Sequence, residues 1–193
     1  MPVVACAAVS ETLRSTERLP TPADNAYQRL LRRLERSPTW DGPIDAVAPV
    51  AGRLIAEPPA RRFFHGDATG VPLHGILTDV PFGAWFMAQF LDLFRDDGSR
   101  RAATRLMALG VAAAVPTAVA GWAEWAGADR AARRVGMTHA SLTGLATLVF
   151  TASWAARLRG HDRLGIALAR VGSVPVIAGA FLGGHIGSGR RLG

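Results

Sequence analysis

Four apolar stretches, Ile76 to Phe94, Ala103 to Trp125, Met137 to Leu158 and Leu164 to Ile186, occupy most of the chain after residue 70. Each is about as long as the 20 residues that span a bilayer as an α-helix. The connections between them, residues 95–102, 126–136 and 159–163, are too short to carry the chain back across roughly 30 Å of hydrocarbon, so successive helices must run antiparallel. The sequence therefore predicts an all-α fold, a membrane four-helix bundle running up-down-up-down, whose solvent is lipid.

Composition divides the chain. The first 70 residues are rich in Arg, Pro and Asp, whereas Ala, Leu, Val, Gly and Phe dominate the remainder. We expect a polar, amphipathic N-terminal arm over residues 1–64 and a four-helix transmembrane domain over residues 65–193. All 22 basic residues are Arg, and the net charge is +7. A GC-rich genome explains such a bias, and no nucleic-acid recognition motif accompanies it. The single cysteine, Cys6, excludes an internal disulfide and leaves any iron–sulfur chemistry to a partner. The run from Pro2 to Val9 is apolar but short and follows no basic residue, unlike a cleaved signal. Insertion is expected to rely on the first membrane helix.

Within the arm, Tyr27, Leu30, Leu31 and Leu34 recur at helical spacing, while Arg29, Arg32, Arg33 and Arg36 occupy much of the remaining circumference. Such a helix can lie on an anionic membrane surface or fold against the bundle. A second periodicity, Ile44, Val47, Ala48, Ala51, Leu54 and Ile55, predicts another helix, disturbed by Pro49 and Gly52 and stopped by Pro58 and Pro59.

The antiparallel order places the start of the first membrane helix, the end of the second, the start of the third and the end of the fourth on one membrane face. His74, Trp122 with Glu124, His139 and His185 sit at those four ends. Asp79 lies about a turn and a half further in from His74, where an unpaired carboxylate costs on the order of 3 kcal/mol, so it should be neutral or paired. His139, Thr143, Thr147 and Thr151, spaced by four, form a polar line expected to face the bundle interior. Gly179, Gly183 and Gly187 form a small-residue ridge that admits a neighbouring backbone or a flat ligand. Pro116 is expected to kink the second helix. Trp122, Trp125 and Trp154 are placed as interfacial anchors. Arginines close to the helices balance between the two faces, and the basic arm tips the balance toward cytoplasmic N- and C-termini.

The run PLHGILTDVPFGAWFMAQFLDLF (Pro72 to Phe94), with AGWAEW (Ala120 to Trp125), RRVGMTHASLT (Arg133 to Thr143) and FLGGHIGSGRRLG (Phe181 to Gly193), resembles the bacterial DUF2231 family, a domain of unknown function. The resemblance covers most of residues 65 to 193. It implies a four-helix protein of the bacterial inner membrane, with a Rieske-type or other redox protein as a partner. The family's first motif reads close to HPLHP; here Val71 replaces its first His and Gly75 its second Pro, while His74 keeps the second His. His139 and His185 retain the other two histidines, and Thr143 stands where Asn is common.

Two chemistries suit three imidazoles from three helices. A b-type haem needs one or two axial imidazoles, an apolar slot and often arginines for its propionates; His139 and His185, with His74 as an alternative and Arg133, Arg134 or Arg190 nearby, can supply them. The same histidines can instead bind a transition metal directly, with Asp79 or Glu124 as a further group. Such a protein would serve electron transfer as an accessory. The alternatives are a purely structural or interaction domain, whose histidines bond only carbonyls and hydroxyls, and a proton or small-solute pathway. That pathway runs through Asp79 and the polar line of Thr143 and Thr147, with Asp92 as exit, and requires a homo-oligomer because no internal repeat is evident. No GxSxG, HExxH or phosphate-binding Gly loop is present, and the chain does not read as an enzyme.

Overall fold

Long runs of Ala, Leu and Val without a Gly-Pro break give long helices, and short polar residues set their starts. The computed structural model describes residues 25–189, with side chains through residue 187, and every regular element among them is helical. Cys6, the run at residues 2–9 and Arg190 lie outside the described residues. Three short helices form the arm: α1 (Ala26–Arg36), α2 (Asp41–Gly52) and α3 (Pro58–His65). Four longer ones complete the chain: α4 (Leu73–Leu91), α5 (Asp97–Ala126), α6 (Arg130–Leu158) and α7 (Asp162–Gly189). The side chains of Asp96 and Asp129 accept from Ser99 and Ala132 N–H and so cap α5 and α6.

Three of these helices, α5, α6 and α7, are long and apolar enough to cross a membrane, consistent with a multi-pass membrane protein. The expected fourth span, α4, is not among them. Its 19 residues carry His74, Thr78, Asp79 and Gln89, which dilute its apolar character. Around the long helices Leu93, Val115, Leu148, Val174 and Phe181 are all more than 60% exposed. In water such a belt is an aggregation surface; against acyl chains it is solvated.

The helices pack as two hairpins. Trp85 of α4 lies over Gly110 of α5, and His74 over Gly121, so α4 and α5 run antiparallel. Phe150 of α6 lies over Gly172 of α7, and His139 against Gly183, in the same sense. The hairpins meet through the stacked rings of Trp85 and Phe150, 4.3 Å between centroids, at the centre of a core completed by Ala88, Met107, Ala146 and Val176. The α6–α7 and α4–α5 contacts are the most extensive, and the α4–α7 contact is the slightest of those between neighbouring long helices. It includes a hydrogen bond from Ser173 Oγ to Gln89 Oε1 at 3.0 Å.

The arm departs from the sequence expectation in two places. Pro58 and Pro59 start α3 rather than merely ending its predecessor, because proline lacks only an N–H that is unpaired in the first turn anyway. Pro49 is accommodated inside α2. The arm's apolar faces are covered by the long helices: Leu31 is buried with Val135 and Leu182, and Ile44 with Met137 and Trp125. Trp125 is therefore no lipid anchor. It is 7% exposed, donates its Nε1–H to the Arg133 carbonyl and lies under that residue's guanidinium.

Candidate functional site

Each hairpin holds one histidine in the same cradle. His74 lies in the first turn of α4, and its Nδ1 donates to the Thr117 carbonyl of α5 at 2.9 Å. A Cβ on Gly121, one turn after Thr117, would come within 3.0 Å of the ring, so glycine is what admits the imidazole. On the second hairpin, His139 Nδ1 donates to the Gly179 carbonyl of α7 at 2.8 Å, and Gly183, again one turn on, stands 3.0 Å by the same measure from the His139 ring. In a neutral imidazole these carbonyl acceptors select the tautomer with the proton on Nδ1 and the lone pair on Nε2. The two rings meet edge to face, 6.1 Å between centroids and 89° between planes.

This correspondence extends along the helices. His74, Trp85 and Asp92 of α4 and its C-cap are matched, at identical intervals, by His139, Phe150 and Arg157 of α6, and each residue contacts its counterpart. Gly110, Thr117 and Gly121 of α5 recur as Gly172, Gly179 and Gly183 of α7. A constant offset of 65 positions between contacting residues means that α4 and α6 point the same way. The two hairpins thus bring corresponding positions face to face: His74 with His139, Trp85 with Phe150 and Asp92 with Arg157.

The remaining candidate residues lie outside the paired cradles. His185 comes two positions after Gly183, about 200° around the helix, and its Nε2 lies 3.1 Å from Glu35 Oε1 of the arm. Glu124 is half-buried near the end of α5. Asp79 is exposed, and among the described residues it has no partner. The threonine line is satisfied along its own helix: Thr143 donates to the His139 carbonyl, Thr147 to that of Thr143 and Thr151 to that of Thr147. Thr143 also packs on Gly179, whereas no side chain or neighbouring backbone comes within 4 Å of a Cβ placed on Gly187.

At the opposite end, Asp92 is no open exit. Arg157 donates from Nη1 and Nη2 to its two oxygens at 2.7 and 2.6 Å, with the side chains 1% and 3% exposed. Ser153 Oγ bonds the Gly165 carbonyl beside them. The arginines expected near haem propionates are engaged otherwise. Arg134 is bidentate to Asp41 of the arm, and Arg133 bonds the Ala126 carbonyl.

Gly110, Gly121, Thr117 and the Asp92–Arg157 pair escaped the reading by single motifs. Their signal was the repeated HxxLT of His74 to Thr78 and His139 to Thr143. No family model, curated protein or solved structure matches this chain.

Proposed function

We propose that this is a multi-pass membrane protein in which α4 completes an up-down-up-down four-helix bundle, and that His74 and His139 form a two-imidazole site for a transition-metal ion at one membrane face. The observation that carries the reading is the pair itself, two perpendicular rings 6.1 Å apart at corresponding positions of the two hairpins. Two imidazoles sharing one ion through bonds of about 2.0–2.1 Å have ring centres up to roughly 6 Å apart, so binding requires the edge-to-face rings to turn their Nε2 atoms toward each other. Metal-binding histidines ordinarily donate their other N–H to a carbonyl or carboxylate, which fixes the ring and raises the basicity of the ligating nitrogen. Both Nδ1 atoms do so.

The residues suit an ion better than haem b. A macrocycle needs a slot a ring wide beside its ligands, whereas Gly121 and Gly183 bring backbone directly against the imidazoles. His74 and His139 would hold the ion through Nε2, with Glu124 as a nearby acid. A copper or iron ion there supplies one-electron redox chemistry, which suits an electron-transfer accessory. Membership of the DUF2231 family, a bacterial inner-membrane location and a Rieske-type or other redox partner belong to the same proposal and rest on the four sequence motifs; cytoplasmic termini rest on the basic arm. A protein neighbour, including a second copy, is supported by Asp79, a carboxylate on an exposed and largely apolar face of α4.

A purely structural role predicts the same two carbonyl bonds but no ligand. His139→Asn separates the readings, because its amide N–H can replace Nδ1–H while nothing replaces Nε2. The full chain is purified in mild detergent, loaded with Cu(II) or Zn(II), desalted and subjected to elemental analysis. One ion per chain, lost in His74→Asn and His139→Asn but kept in His185→Asn, supports the site. Unchanged metal content in both asparagine variants, or a wild type that retains none, overturns it.

A further inference from the structure

Helix α1 spends its apolar face on the bundle. Leu31 is 1% exposed and packs with Val135 of α6 and Leu182 of α7, flanked by Tyr27 and Leu34. The one acid of α1, Glu35, is turned toward His185. The opposite side carries Arg29, Arg32, Arg33 and Arg36, whose i, i+3, i+4, i+7 spacing puts four guanidiniums on one face. With Ser37 they line a shallow groove of about 420 Å³, and Arg33 and Arg36 are exposed.

The height of this groove is set by its docking. Arg130, Arg133 and Arg134 occupy the first turns of α6, and the apolar run begins at Val135. Leu31 meets that boundary residue and Arg134 donates to the Glu35 carbonyl, so the C-terminal half of α1, with Arg33 and Arg36 exposed, lies where the apolar run of α6 begins. Guanidiniums at that level meet phosphodiesters, which they bind through paired N–H donors.

We propose that the Arg29–Arg32–Arg33–Arg36 face of α1 is a binding site for the phosphodiester headgroup of net-anionic phospholipids, holding the arm at the membrane surface. The assignment rests on the membrane placement of α5 to α7 and is independent of the metal site.

The test is native mass spectrometry of the full chain, released from mixed micelles containing equal phosphatidylglycerol and phosphatidylcholine. The wild type is expected to retain phosphatidylglycerol preferentially. Arg33→Gln/Arg36→Gln should lose about fivefold of that preference per arginine, with unchanged helicity and melting, while Arg61→Gln/Arg62→Gln on α3 keeps it. Equal retention of the two lipids by the wild type, an unaltered preference in the α1 variant, or an equal loss in the α3 variant overturns the proposal. Displacement of the lipid by inorganic phosphate or by an oligonucleotide at equal concentration overturns it as well, by assigning the face to a free anion or a nucleic acid. A wild type that stays soluble and monodisperse without detergent would instead refute the membrane placement.

Discussion

Arg157 and Asp92 form a bidentate ion pair that joins the two hairpins at the end opposite the histidines, with both side chains almost wholly buried. The two residues occupy corresponding positions of the two hairpins. Two identical hairpins would place like charges there; Asp92 and Arg157 are opposite ones. Breaking a buried pair leaves an uncompensated charge and costs about 3–5 kcal/mol. Asp92→Asn should therefore lower the melting temperature steeply in detergent, and Asp92→Arg/Arg157→Asp should recover part of the loss. Additive damage in the double exchange would refute the pairing role.

The aromatic centre makes a graded prediction from two equivalent glycines. A Cβ on Gly110 would overlap Trp85 Nε1, a fully enclosed indole edge, whereas a Cβ on Gly172 would meet the Phe150 ring at 3.2–3.3 Å. Gly110→Ala should destabilise by about 1–3 kcal/mol through overpacking. In Gly172→Ala the gain in helix propensity, about 1 kcal/mol, offsets the milder contact. Thermal unfolding of the two variants should rank them in that order.

Acid should release the arm. The hydrogen bond from Arg134 is the largest influence on Asp41 and holds its carboxyl below the ordinary range, and the one from Arg130 does the same for Asp45. A carboxylate depressed in the folded state contributes stability that is fully present above its unfolded value, about 3.9. That contribution is lost as pH falls through the lower, folded value. Docking should thus be constant near neutrality and fail only below about pH 4. Fluorescence of Trp40, whose Nε1 donates to Thr138 Oγ1, reports it. Release near pH 6 would contradict this assignment.

Legibility in the sequence tracked the physics of each feature. The long helices were readable because lipid demands long apolar runs, and the arm helix because Tyr27, Leu31 and Leu34 share a face. What hid was pairwise. Nothing in Asp92 or Arg157 alone says that they meet, and Arg157 looks like any interfacial arginine. Asp79 shows the limit of composition: an acid among apolar residues reads as neutral or paired, and the fold adds only that it is exposed on α4. His74 and His139 were found by topology, but His185 shared their membrane face without sharing their helix faces.

The central claim is that His74 and His139 present their Nε2 atoms to one ion. X-ray absorption at the metal edge of copper-loaded wild-type protein addresses it most directly. Two imidazole nitrogens at about 2.0 Å are expected, with the bound copper and its imidazole signal lost in His139→Asn. A first shell of oxygens alone, or an imidazole count unchanged by that substitution, would contradict it.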